Sequence, residues 1–160
     1  MADIRSVPPG SPLSAAARAL FSAYRDFLET IQSTHCFNFT RYAQEIADLP
    51  GWYTEHNGEL LLAFVEHEPA GCIAFRAVEE RTCEIKRLFI APAFRRQGLA
   101  RALIAEALAR ASQHGFDRAV LDTDIVSMAA AYTTYIGFGF REYTPPGSHA
   151  SSLRFLEREL

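Results

Sequence analysis

The spacing of apolar and polar positions divides the chain into short, well-punctuated segments. Alternation over positions 2–7 predicts a strand, stopped by Pro8-Pro9-Gly10. From Ser14 to Gln32 the period lengthens, and Leu20, Tyr24, Phe27, Leu28 and Ile31 fall on one helical face. A second helix is predicted over Phe39–Asp48, closed by Leu49-Pro50-Gly51. Strands are predicted at Glu59–Glu66, Ala70–Val78 and Thr82–Ile90, with Pro69-Ala70-Gly71 and Glu79-Glu80-Arg81 marking hairpin turns. A long helix over Gly98–His114 closes near Gly115. A strand at Arg118–Asp124 follows, then a helix capped by Ser127 and running to Ile136. Two last strands, Phe138–Tyr143 and Ser152–Arg158, flank a Pro145-Pro146-Gly147 turn. The order is β-α-α-β-β-β-α-β-α-β-β. Hairpins dominate its first half, and the crossover from strand 82–90 to strand 118–124 makes a parallel pair. Ligands of such sheets gather at the carboxyl ends of parallel strands. Here that is the segment after Ile90.

Composition narrows the function classes. A chain of 160 residues suits one domain, 1–160, and 49% apolar residues supply a core. The net charge of −3 and the dispersed basic residues argue against nucleic acid as a partner. No apolar run approaches the roughly 18 residues of a membrane span, and MADIRSVPPGSPLS lacks a secretory apolar region. Cys36, Cys72 and Cys83 form no C-x-x-C and read as reduced thiols of a cytoplasmic protein. His35, His56, His67, His114 and His149 lack metal-ligand spacing, so no metal is expected.

The chemistry concentrates between Cys83 and Leu103. An apolar strand ends at Ala91-Pro92, and the loop Arg95-Arg96-Gln97-Gly98 leads into a helix at Leu99-Ala100. The first turn of a helix carries unpaired N–H groups and about half a positive charge, so this strand, loop and helix suit a diphosphate. Arg95–Ala100 fits [QR]-x-x-G-x-[GA]. Neither a Walker A loop nor a G-x-G-x-x-G fingerprint is present.

With these residues in place, the chain resembles the GNAT superfamily of acyl-CoA-dependent N-acetyltransferases. Glu84–Pro92 is similar to the family's fourth strand, and Arg95–Ala100 to its pyrophosphate loop. Leu121-Asp122-Thr123 with Ser127-Met128 is similar to the fifth strand and the following helix start. Tyr135-Ile136-Gly137-Phe138-Gly139-Phe140 resembles Y-x-x-x-G-F. Arg96 and Ala100 stand where many members have glycine.

The resemblance implies an α/β (α+β) fold. A mixed, mostly antiparallel sheet of about seven strands would carry helices on both faces, with the fourth and fifth strands splayed. It implies acetyl-CoA as co-substrate, lying between those strands. Its pantetheine amides would pair with Leu88, Phe89 and Ile90, and its pyrophosphate would rest on the backbone of Arg96, Gln97, Gly98, Leu99, Ala100 and Arg101. Arg95, Arg96 and Arg101 would add charge. Tyr135 is the candidate acid for the leaving thiolate, and Glu84 the candidate base, directly or through water. An acyl-cysteine on Cys83 is rejected because nothing cationic adjoins it on its face of the strand. The acceptor would be a primary amine of a small molecule or peptide, attacking directly in a ternary complex. Phe37–Tyr42, Trp52-Tyr53 and the 145–151 turn would shape its pocket, with Trp52 and Tyr53 the most exposed to ligand, and Asp48 and Glu55 are candidate attractors of a cationic amine. A dimer is common in the resembled family. The alternative is a non-catalytic acyl-CoA-binding sensor or partner module.

Overall fold

The computed structural model describes residues 2–31, 37–147 and 152–160. Gln32, His35, Cys36, His149 and the far side of the 145–151 turn therefore lie outside the described residues. The elements run β1 (Asp3–Ser6), α1 (Ser14–Glu29), α2 (Phe39–Ala47), α3 (Gly51–Thr54), β2 (Glu59–Val65), β3 (Glu68–Glu79), β4 (Thr82–Ile90), α4 (Leu99–Gln113), β5 (Arg118–Asp124), α5 (Ala129–Gly137), β6 (Arg141–Tyr143) and β7 (Leu153–Glu159). The strands form one seven-stranded sheet in the order β1-β2-β3-β4-β5-β7-β6. Every neighbouring pair is antiparallel except β4 and β5.

Each face of the sheet has its own core. One joins α4 and α5 to the sheet through Leu103, Ile104, Ala107, Ile73, Phe75 and Leu121. The other joins α1, α2 and α3 through Phe21, Tyr42, Tyr53, Leu60, Leu62 and Phe89. Buried on both faces, β2 and the middle of β3 are apolar without interruption. Among the described residues no helix is long and apolar enough to cross a membrane.

Several local expectations give way to specific geometry. The β2–β3 turn sits at Glu66 and His67, both at positive φ (49° and 73°), and β3 runs on through Pro69-Ala70-Gly71. The break at Pro50-Gly51 opens the short helix α3. Ser127 does not cap α5. Asp124 accepts from the Val126 and Ser127 amides (2.8 and 3.1 Å) and shapes the loop before it. The strand expected from Phe138 begins at Arg141, because Phe138 caps α5 and Gly139 follows at φ 86°.

The irregularity that matters most is in β4. Ala74 pairs with Lys86, but Cys72 pairs with Phe89, so β4 carries one residue more than β3 over this stretch. Arg87 takes φ 63°. This is a β-bulge, which bends its strand and shifts the side-chain alternation by one. Cys83 and Ile85, then Leu88 and Ile90, face α4. Arg87 and Phe89 face the α1–α2 layer.

The C-terminal turn of α4 is tied to β2 through Glu59. That carboxylate accepts from Ser6 Oγ (2.8 Å) and Arg110 Nη1 (2.9 Å) and meets His114 Nε2 at 3.0 Å. Burial alone would raise its pKa, but the Ser6 hydrogen bond and the Arg110 and His114 contacts together hold it below the ordinary value. A carboxyl depressed by folding contributes stability above its unfolded pKa of about 4.3 and loses it as pH falls through the folded value. Glu59→Gln should therefore lower the urea midpoint at neutral pH. It should also flatten the further loss of stability as pH falls below about 4.3.

Candidate active site

The site begins where two strands separate. β4 and β5 are paired over Thr82–Glu84 and Arg118–Val120, and no further. Beyond Glu84 the β5-facing edge of β4 carries no ladder partner among the described residues. A cavity of about 320 Å³ fills the wedge and continues toward α2 and Trp52. Such an edge can accept an extended ligand as an added strand. Leu88 lines the cavity. Ile90 stands at the outer end, where its carbonyl accepts from Arg95 Nε at 3.0 Å.

After β4, Pro92–Phe94 forms a 3₁₀ turn and Arg95 is extended. Arg96 (φ 63°) and Gly98 (φ 78°) are left-handed, and Gly98 caps α4. A Cβ on Gly98 would meet nothing within 4 Å, so glycine is needed there for its backbone angle. The first hydrogen bond of α4 runs from the Ala102 amide to the Gly98 carbonyl, and none of the amides from Arg96 to Arg101 donates to a described residue. Those donors and the helix dipole meet at one place, which is the requirement for an anion site. The arginine side chains behave differently from one another. Arg95 folds onto Phe27 and Phe89 (5.2 and 6.0 Å to the ring centres), and Arg101 lies over Phe138 at 5.2 Å. Arg96 makes no ion pair or hydrogen bond with a described residue.

Tyr135 reaches the wedge from α5. It is 5% exposed, packs edge-to-face against Phe140 at 5.4 Å and lines the cavity. Its hydroxyl bonds to no described residue, and burial pushes its pKa well above the ordinary phenol value. Tyr132 is bonded to Glu142 at 2.9 Å. Glu84 stands at the closed end of the wedge, on the last paired position. Its Oε1 lies 3.4 Å from Lys86 Nζ, and it is not part of the cavity lining. Cys83 is fully buried, and burial lifts its thiol to about 12, which suits packing rather than a nucleophile.

The other half of the cavity holds residues that the spacing did not single out. Arg87 forms a two-pronged ion pair with Glu45 of α2 (2.8 and 3.2 Å), and Glu45 is 2% exposed. Burial opposes the Arg87 charge, and the Glu45 carboxylate more than offsets it. Arg41 and Arg76 both lie over the Trp52 ring, at 5.6 and 5.5 Å. Asp122 of β5 lines the opposite wall. The signal for the β-strand arginines was present: a charge inside a strand covered on both faces must meet a counter-charge or a cavity. Trp52 lines the cavity as expected. Tyr53 does not, being fully buried beneath the Glu45–Arg87 pair. Asp48 and Glu55 also lie outside the lining.

A model of the acetyltransferase (GNAT) family matches residues 19–140. An N-acetylaspartate synthetase of Danio rerio is 30% identical over 120 residues, covering 70% of this chain and 42% of the relative. The chain thus spans less than half the length of that relative. The crystal structure of an acetyltransferase of the GNAT family from Staphylococcus aureus Mu50 superposes with a TM-score of 0.77 at 16% identity, covering 99% of each chain. That of PaiA N-acetyltransferase from Thermoplasma acidophilum, in complex with coenzyme A, gives 0.73 at 16% identity, covering 100% of this chain and 99% of the other. At such identities the likeness is one of fold.

The Glu45–Arg87 pair gives a direct test of how this wall is held. Removing one partner of a buried pair strands the other, at a cost of about 3–5 kcal/mol. Glu45→Ala should lose that much in urea denaturation. The double change Glu45→Leu with Arg87→Met should recover much of it.

Proposed function

The chain belongs to the GNAT family of acetyltransferases, and from that premise we propose that it transfers the acetyl group of acetyl-CoA directly to a primary amine held in the arginine-lined half of the cleft. The observation that carries this reading is the parting of β4 from β5 beside unpaired amides at Arg96–Arg101. The amides from Arg96 to Arg101, those of Gln97, Gly98, Leu99 and Ala100 included, would hold the pyrophosphate. The backbone of Leu88, Phe89 and Ile90 would hold the pantetheine arm, with Ile90 sharing its carbonyl with Arg95. Arg96 is the side chain available to add charge at the phosphates. Arg95 and Arg101 are already laid on aromatic rings and brace the loop.

Bound there, acetyl-CoA supplies an activated acyl thioester. The protein's part is to orient it, to take a proton from the attacking ammonium and to give one to the departing sulfur. Tyr135 is the donor. Its side chain lines the cavity, and its raised pKa keeps it neutral, with a proton in place, at any working pH. For the ammonium proton, Asp122 is the carboxylate of the lining that has no ion pair or hydrogen bond among the described residues, and Glu84 would act through water from the closed end.

Acetyl-CoA in saturating excess should raise the melting temperature by a few degrees. Tyr135→Phe should keep that shift while losing about 10²-fold or more in thiol release with a responsive amine. A shift with no thiol release across a broad amine panel would favour the sensor reading instead. Comparing kcat of Asp122→Asn with that of Glu84→Gln, acetyl-CoA binding being retained, should show which carboxylate takes the proton.

A further inference from the structure

The geometry points to a carboxylate-bearing amine of amino-acid size as the acceptor, its carboxylate taken by Arg41 and Arg76 beside Trp52 and its amine facing Asp122 and Tyr135. This rests on the transfer reading above.

Charge pairing in the cleft leads to this conclusion. Arg41, Arg76 and Arg87 all line one cavity, but only Arg87 has a carboxylate partner. Lys86, the remaining cation of the lining, is matched with Glu84. Arg41 and Arg76 form no ion pair and no side-chain hydrogen bond with a described residue. What they share is the Trp52 ring. Two guanidinium groups on one indole repel each other, and an anion held by both removes that repulsion. Arg76 adds a more specific sign. It lies on β3, and its Nε is buried with no hydrogen-bond partner. A buried donor left unpaired costs about 1–3 kcal/mol, and a ligand oxygen in the cavity would satisfy it. A guanidinium fork matches a carboxylate in shape as well as in charge.

Three acids line the cavity, Glu45 on α2 and Asp122 and Asp124 on β5. Glu45 is committed to Arg87. Asp124 holds the Val126 and Ser127 amides and accepts from Ser152 Oγ at 2.6 Å. Asp122, exposed on β5 between the buried Leu121 and Thr123, has no ion pair or hydrogen bond among the described residues. The cleft is therefore polarised, with unpaired cations on the α2–β3 wall and an unpaired carboxylate on β5. A zwitterion bound across it places its ammonium on the Tyr135 side, where an acyl group would have to be. The volume of about 320 Å³ serves both acyl end and acceptor, which limits the acceptor to a small molecule or a chain end.

The experiment measures thiol release from acetyl-CoA with the standard L-amino acids and, in parallel, with their carboxamides. Thermal stability with acetyl-CoA is recorded for every variant. The expected result is turnover of a subset of the acids and at least ten-fold lower kcat/KM for the matching amides. Arg76→Gln and Arg41→Gln should each raise KM for the acid by about ten- to a hundred-fold and leave KM for the amide nearly unchanged, with the acetyl-CoA shift retained. Equal or better use of carboxamides and plain alkylamines would overturn the inference while leaving acetyl transfer intact. An Arg76→Gln effect on acid and amide alike would also overturn it, since loss of structure does not discriminate between them. Absence of both the thermal shift and any thiol release would remove the transfer reading itself, and this inference with it.

Discussion

A charge can enter the dry layer between α2 and β4 only in company, and Arg87 enters with Glu45. The pair is two-pronged, with the Glu45 side chain 2% exposed and that of Arg87 15% exposed. Such pairs add little net stability, because desolvation consumes most of the attraction, but they penalise any arrangement that separates them. Arg87 sits at the left-handed residue of the β4 bulge. The ion pair therefore pins the bulge to α2, and the bulge sets which side chains of β4 face which layer. The aromatic surround, with Phe37 and Tyr42 at 5.3 and 4.8 Å from the guanidinium, adds contacts that need the same placement.

From that bulge the functional geometry follows in steps. A bulged strand bends and twists more strongly than its neighbour. β4 and β5 are bonded only before the bulge and are apart beyond it. The gap frees one edge of β4 and opens a passage from the α5 side of the sheet, where Tyr135 is rooted, to the α1–α2 side, where the arginines are. The strand then delivers the chain to the 3₁₀ turn and the unpaired amides ahead of α4. Strand edge, amide cradle, phenol and cationic pocket all hang on one continuous segment and the two layers that grip it.

Much of this was legible because it is written in local patterns. The strand bounds of β4 and β5 and the helix after Gly98 fall where periodicity and turn residues put them, since both strands are covered and α4 has a continuous apolar stripe. The left-handed angle at Gly98 agrees with a glycine at that point of the loop. The features that were missed depend on contacts between distant segments. Nothing local to Glu45 tells that it meets Arg87, 42 residues away. Tyr53 and its neighbour Trp52 differ in fate because α3 turns one inward and the other toward the cavity. That the ladder to β5 ends at Glu84, leaving it at the shut end of the wedge, likewise depends on a pairing between distant strands. One trace was readable in retrospect: Lys86-Arg87 breaks the alternation of β4, as a residue inserted into a strand must.

The shared strand also couples the two halves of the cleft. Lys86, Arg87 and Leu88 are consecutive, yet they serve the closed end, the α2 wall and the wedge in turn. Without the bulge, strict alternation would send Arg87 to the α4 face, into a packed apolar core, and Leu88 to the α2 wall, beside a stranded Glu45. Neither placement is tolerable, so the register has no competing solution close in energy. The constraint that fixes the acceptor wall thus fixes the free edge of β4 as well. Movement of α2 against the sheet would disturb the wedge through Arg87 before any ligand was touched.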